Sequence, residues 1–122
     1  MTEQLSHITV DALEGIKAQD IVVIDINKAN SLFDRIIVAS VDSTRQAKAL
    51  VNHLKEEISK IGQSIVGVEG EDSGEWVLID LGDIVVHVMQ PAIREYYNIE
   101  DLWMENTASK FSQPDAELAV NS

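Results

Sequence analysis

GVEGEDSGEWVLIDLGDIVVHVM, residues 67–89, reads as a loop followed by a β-hairpin. An acidic, glycine-punctuated segment from Glu69 to Glu75 opens onto Trp76-Val77-Leu78-Ile79-Asp80. Leu81-Gly82 then turns the chain into Asp83-Ile84-Val85-Val86-His87-Val88-Met89. Val, Ile and Trp suit a pleated, packed surface. The second run is apolar at both parities of the alternation, with Ile84, Val86 and Val88 on one side and Val85 and Met89 on the other. A strand of that kind is covered on both faces and belongs near the middle of a sheet. The first run carries its polarity at its ends, so Trp76 is the large aromatic nearest the acidic loop and is expected to be half covered.

Upstream, Leu5, Ile8, Ala12, Leu13 and Ile16 recur at helical spacing and predict an amphipathic helix over Thr2 to Ala18, with Gly15 inside it. Ile21 to Asp25 reads as a buried strand, Asn27 to Ser31 as a polar connection, and Asp34 to Ser40 as a second buried strand. Ser43 and Gln46 have capping-box spacing at the start of a helix whose apolar face is Ala47, Leu50, Val51, Leu54, Ile58 and Ile61. Gly62 is placed to be its left-handed C-terminal cap. Ile65 to Glu69 is a third strand. Downstream, Pro91 opens a short helix carrying Ile93, Arg94, Tyr96 and Tyr97, and at least one of those tyrosines must point away from the core. The order α β β α β β β α predicts an α/β fold, a mixed five-stranded sheet flanked by helices. The helix between the second and third strands permits parallel pairing there, and the Leu81-Gly82 turn forces an antiparallel hairpin. The domain is expected to span 1–104, followed by a flexible polar tail over 105–122 that contains Pro114.

At 122 residues the chain can bury a single core. It has no cysteine, which leaves no disulfide framework, redox motif or thiolate site and fits a reducing compartment. No apolar run approaches the ~20 residues that span a bilayer. Glu3 stands where a basic leader segment would be, so the expectation is a cytoplasmic protein without a membrane partner. The formal charge of −12 is the most informative bulk property. Such a surface repels phosphate backbones and anionic lipids, so free nucleic acid is a poor partner and a basic protein surface a good one.

Asp80, Asp83 and His87 invite a metal or catalytic reading, since two carboxylates and an imidazole can hold a divalent ion. That reading makes the chain a small metal-dependent nucleotidyltransferase. The spacing argues against it. Asp80 and Asp83 bracket a tight turn with Gly82, where Asp satisfies turn N–H groups, and His87 lies four residues along a strand from Asp83, about 13 Å at ~3.3 Å per residue. These three residues are therefore assigned to holding the hairpin and to a core or groove imidazole with one hydrogen bond, and no metal or cofactor is expected. Gly67, Gly70 and Gly74 precede a strand instead of opening a helix, so they form no phosphate-binding fingerprint. Ser43 and Thr44 have no local base and are better explained as caps than as nucleophiles. What remains is the surface where Glu69, Glu71, Asp72 and Glu75 run up to Trp76. It reads either as a solvated acidic loop with a core tryptophan, or as an aromatic anchor ringed by carboxylates that docks a basic partner.

At these residues the sequence resembles the ribosomal silencing factor (Iojap) family. The likeness rests on Gly67-Val68-Glu69-Gly70, the Trp76 to Asp80 strand, the run from Asp80 to Met89, and Arg94, Tyr97, Leu102 and Trp103. Asp20 to Asp25, Asp34 to Ser40 and Ser43 to Gln46 support it upstream. The resemblance implies a nucleotidyltransferase-like topology without the catalytic machinery, and hence no enzyme activity. It also implies binding to protein fourteen of the large ribosomal subunit, interference with subunit joining when nutrients are limiting, a part in large-subunit biogenesis, and a homodimer when free. On this reading Trp76 is the aromatic anchor, Glu69 and Glu71 pair with basic groups, and Tyr97 lies at the edge of the same face. An alternative leaves the acidic face to the homodimer and places the ribosome contact elsewhere.

Overall fold

The computed structural model describes residues 2–26 and 32–101. Its elements are α1 (Thr2–Gly15), β1 (Gln19–Asp25), β2 (Arg35–Ser40), α2 (Thr44–Ser59), β3 (Gly67–Glu69), β4 (Trp76–Asp80), β5 (Ile84–Met89) and α3 (Pro91–Tyr97). The polar connection, Leu102, Trp103 and the expected tail lie outside the described residues.

The strands form one mixed five-stranded sheet in the order β1-β2-β5-β4-β3. The doubly apolar run around Val86 is its central strand, as the alternation predicted. It pairs antiparallel with β4 through the hairpin and parallel with β2 along Arg35↔Ile84 to Ser40↔Met89. The parallel partner of β2 is therefore β5 and not the third strand. The chain leaves β2 through α2, and β3 then pairs antiparallel with β4 at the far edge. Only the longer apolar strand β5 offers a two-faced surface to match β2, which is almost wholly buried.

The first strand is not buried. β1 is the opposite edge; only Ile24 of the strand is buried, and Val23 is 44 % exposed. A run of β-branched residues marks a strand but does not say whether a neighbour covers it.

Alternation along the central strands divides the core in two. Ile37, Ala39, Val77, Ile79, Val86 and Val88 face α1 and α2 and pack against Leu13, Leu50, Leu54 and Ile58. Ile36, Val38 and Met89 face the other way, with Ile24, Trp76 and Ile93 around them. The two long helices thus cover one face of the sheet, and the short α3 lies over part of the other.

Local sequence chemistry sets the helix ends. α1 stops at Gly15, three residues earlier than the periodicity predicts, because Lys17 adopts a left-handed backbone at φ 64°. The Lys17 N–H donates to the Glu14 carbonyl at 3.0 Å and the Ala18 N–H to Leu13 at 2.9 Å, closing a Schellman turn without glycine. Gly62, at φ 77°, closes the same motif on α2, with its N–H donating to Ser59 and that of Gln63 to Ile58. At the other end of α2 the Gln46 N–H donates to Ser43 Oγ at 3.1 Å. Gln46 then uses its side chain twice, accepting from the Asp42 N–H at 2.7 Å and donating to the Ile16 carbonyl at 2.8 Å, which ties α2 to the end of α1. Ser43→Ala is expected to lower stability by about 1 kcal/mol, the usual worth of a serine cap, with no change in the urea m-value. Urea denaturation of the two chains measures it.

Candidate functional site

The face under α3 collects the aromatic residues. Trp76 lies opposite Met89 and Leu78 opposite His87, so Trp76 and His87 are diagonal neighbours on one side of the sheet. The half-buried Trp76 indole Nε1–H donates to His87 Nδ1 at 3.0 Å. His87 is only 9 % exposed, and burial lowers its pKa to about 4. It is therefore neutral at pH 7, with its proton on Nε2 and Nδ1 free to accept. The single hydrogen bond expected of this imidazole is the one that orients the tryptophan.

Tyr97 packs against the indole at a tilt of 48°, ring centroids 4.9 Å apart, and Tyr96 meets Tyr97 edge-on at the same distance. Both tyrosines are open to solvent, Tyr97 at 52 % and Tyr96 at 80 %. The structure thus brings Trp76 and Tyr97 together and extends the pair to Tyr96, whose place beside them the sequence did not specify.

The acidic loop is pinned beside this cluster. Gly70 sits at φ 83°, and a Cβ there would collide with the Trp76 carbonyl oxygen, so the loop backbone passes directly over the backbone of the anchor. Gly74 accepts the same restriction against Thr44, whose Oγ1 donates to the Ser73 carbonyl at 2.8 Å. The Gln90 N–H donates to the Glu75 carbonyl at 2.9 Å, joining the end of the loop to the start of α3. Glu69 and Glu71, which flank Gly70, are exposed and half-buried respectively. Among the described residues neither carboxylate has a basic partner within ion-pair distance.

The hairpin turn lies at the other end of β4 from Trp76. Asp80 Oδ1 accepts the Gly82 N–H at 2.8 Å, and Gly82 takes the positive φ of 91° that the turn requires. The Asp83 carbonyl accepts the Asp34 N–H at 2.7 Å, tying the turn to the start of β2. Among the described residues no group of three or more His, Asp or Glu side chains is placed to hold a metal ion, and no helix is long and apolar enough to cross a membrane.

Sequence reasoning gave Arg94 no role of its own. It is 8 % exposed; its Nη1 donates to Ser40 Oγ at 2.8 Å, and its Nε and Nη2 hold the Glu100 carboxylate at 2.9–3.2 Å. A polar serine ending an otherwise apolar buried strand, and an arginine on the same helix side as Tyr97, were the available signals.

Fold and site define a class of small α/β protein: a mixed sheet with two helices on one face and an aromatic cluster beneath a short helix on the other. A family model described as "Ribosomal silencing factor during starvation" matches residues 1–121, and the chain belongs to that family. A ribosomal silencing factor of Chromobacterium violaceum is 54 % identical over 101 residues, 83 % of each chain. The mouse protein named "Mitochondrial assembly of ribosomal large subunit protein 1" is 31 % identical over 116 residues, 93 % of this chain and 50 % of that one. A crystal structure of a Chromobacterium violaceum protein matches with a TM-score of 0.77 at 49 % identity, covering 93 % of this chain and 89 % of that one. The names in this family are those of ribosome-associated regulatory factors.

Proposed function

We propose that this chain is a ribosomal silencing factor that works by steric antagonism. It docks on the large ribosomal subunit through protein fourteen of that subunit and fills space the small subunit needs, repressing translation when nutrients are limiting. The observation that carries the reading is the Trp76–Tyr97–Tyr96 cluster, whose two tyrosines are open to solvent, bordered by the carboxylates of Glu69 and Glu71, which have no basic partner among the described residues. Aromatic side chains with rigid support make good binding anchors, and acidic neighbours favour a basic partner. A chain of charge −12 is repelled by ribosomal RNA, so its attraction on that particle must come from a basic protein surface. A standard interface of about 800 Å² on each partner is enough to hold a domain of this size in place.

On this reading the protein acts without turnover or cofactor, in the cytoplasm, and is a homodimer when free. Asp80, Gly82 and Asp83 hold the hairpin and take no part in docking. The name of the mouse relative supports a second contribution, to large-subunit biogenesis.

The test is co-sedimentation of the purified protein with isolated large and small subunits, followed by subunit joining at near-physiological salt. Stoichiometric binding to the large subunit alone, with fewer joined ribosomes, is the expected result. Equal binding to both subunits, or to neither, overturns the reading.

A further inference from the structure

α3 is too short to hold its place by itself. A helix of seven residues is far below the length at which an isolated helix persists in water, so the position of its tyrosines depends on what fastens it to the sheet. Gln90, at its N-cap, makes no side-chain cap; its N–H and side-chain amide hold the helix start on the Glu75 and Gly74 carbonyls, and Ile93 adds a half-buried apolar contact. The fastening is polar. The guanidinium of Arg94 lies under the helix, with one edge on Ser40 of β2 and the other on Glu100, beyond the helix end. The two side chains of the ion pair are 10 % and 19 % exposed, so solvent screens it little. The helix ends on Asn98, left-handed at φ 50°, whose N–H donates to the Arg94 carbonyl at 2.8 Å. That turn brings Glu100 back onto Arg94. Tyr97 is three positions along from Arg94, on the same side of the helix, and meets Trp76 there.

We propose that Arg94, clamped between Ser40 and Glu100, is a positioning residue for the docking face, setting α3 on β2 so that Tyr97 stands against Trp76 before any partner arrives. The inference rests on the reading of that face as the ribosome contact. A preassembled aromatic pair spares the partner the entropy of ordering two side chains and a helix, so loosening the clamp weakens binding without removing a contact atom. Lysine does not substitute for it, because a point charge cannot hold Glu100 bidentately and reach Ser40 in the same plane.

The experiment measures binding of Arg94→Met, Ser40→Ala, Tyr97→Ala and the Arg94→Met/Tyr97→Ala double variant to isolated large subunits, with Trp76→Ala as reference. Ring contacts between Trp76 and Tyr97 are followed by NMR. Arg94→Met is expected to weaken binding roughly tenfold and Ser40→Ala two- to threefold, with Arg94→Lys recovering only part of the loss. The Trp76–Tyr97 ring contact is expected to fade while the amide signals of α1 and α2 stay in place. If Arg94 acts through Tyr97, the double variant binds no more weakly than the poorer single one. Losses that multiply in the double variant, or wild-type binding by Arg94→Met, overturn the inference. Should Arg94→Met fail to fold, wild-type binding by Ser40→Ala together with Glu100→Gln overturns it equally. Wild-type binding by Trp76→Ala would instead show that the docking face itself is misassigned.

Discussion

Trp76→Ala is expected to weaken binding to the large subunit about thirtyfold, the equivalent of ~2 kcal/mol for a central aromatic anchor. The indole is held by two neighbours, by His87 through its N–H and by Tyr97 through a tilted ring contact, so it presents a fixed surface and little is lost in ordering it on binding. Glu71→Gln should behave differently. It removes one charge from the rim, where solvent screens it, and should weaken binding less than about fivefold, with the difference disappearing as salt is raised. Trp76→Phe separates the two supports of the anchor. It keeps a ring against Tyr97 but leaves His87 Nδ1 without its donor, so stability should fall by about 1 kcal/mol while most of the affinity remains. Sedimentation titrations of the three variants, each scaled to its folded fraction, decide among these outcomes. Equal losses for Trp76→Ala and Glu71→Gln would remove the distinction between anchor and rim.

Much of this arrangement was legible because the deciding stretch carries its own context. An apolar run flanked by a tight turn, with no polar parity, admits few positions other than the centre of a covered sheet, and Ile84 to Met89 occupies that position. Ser43 and Gly62 act locally, through bonds spanning three to five residues, and their side-chain chemistry is visible in the letters themselves. The misplaced features depend on distant partners. Ile21 to Asp25 has the composition of an inner strand, yet nothing in it says that β1 would find a pairing partner, β2, on one side only. The parallel partner of β2 lies beyond α2, β3 and β4 in the chain, and the choice between β3 and β5 is made by which strand can be buried on both faces. Lys17 ends α1 in a conformation that favours glycine, while Gly15, two residues before it, is simply the last residue of the helix. The site divides in the same way. Trp76 stood out by its position at the head of a strand, whereas the clamp on Arg94 joins residues 54 and 6 positions apart and became visible only when the chain was folded.

Acidification below pH 6.5 should destabilise the protein through His87. In the folded chain, burial lowers the imidazole pKa to about 4, against an ordinary value of 6.5 when unfolded. Above pH 6.5 both states leave it neutral and its contribution to stability is complete. Between pH 6.5 and 4 the unfolded chain takes up a proton that the folded chain refuses, so stability falls with falling pH by about 1.4 kcal/mol per unit, reaching about 3 kcal/mol near pH 4 and levelling off below it. Relief of repulsion among 21 acidic side chains works in the opposite direction as they become protonated, and a bare pH profile mixes the two. The comparison that isolates His87 is the difference between the wild type and His87→Phe, in urea titrations from pH 7.5 to 5. Phenylalanine is less stable at pH 7.5, where Trp76 Nε1 loses its acceptor, but it carries no proton-linked term, so the gap should close by about 2 kcal/mol across that range. A gap that stays constant would mean the folded imidazole titrates as it does in the unfolded chain. The same proton also acts on the site. An imidazolium presents N–H at Nδ1 to the indole N–H, two donors facing each other, so the protonated chain must release Trp76 from the orientation that Tyr97 packs against. Because folded His87 holds no proton until about pH 4, affinity for the large subunit, measured on the folded fraction, should stay flat from pH 7.5 to 6.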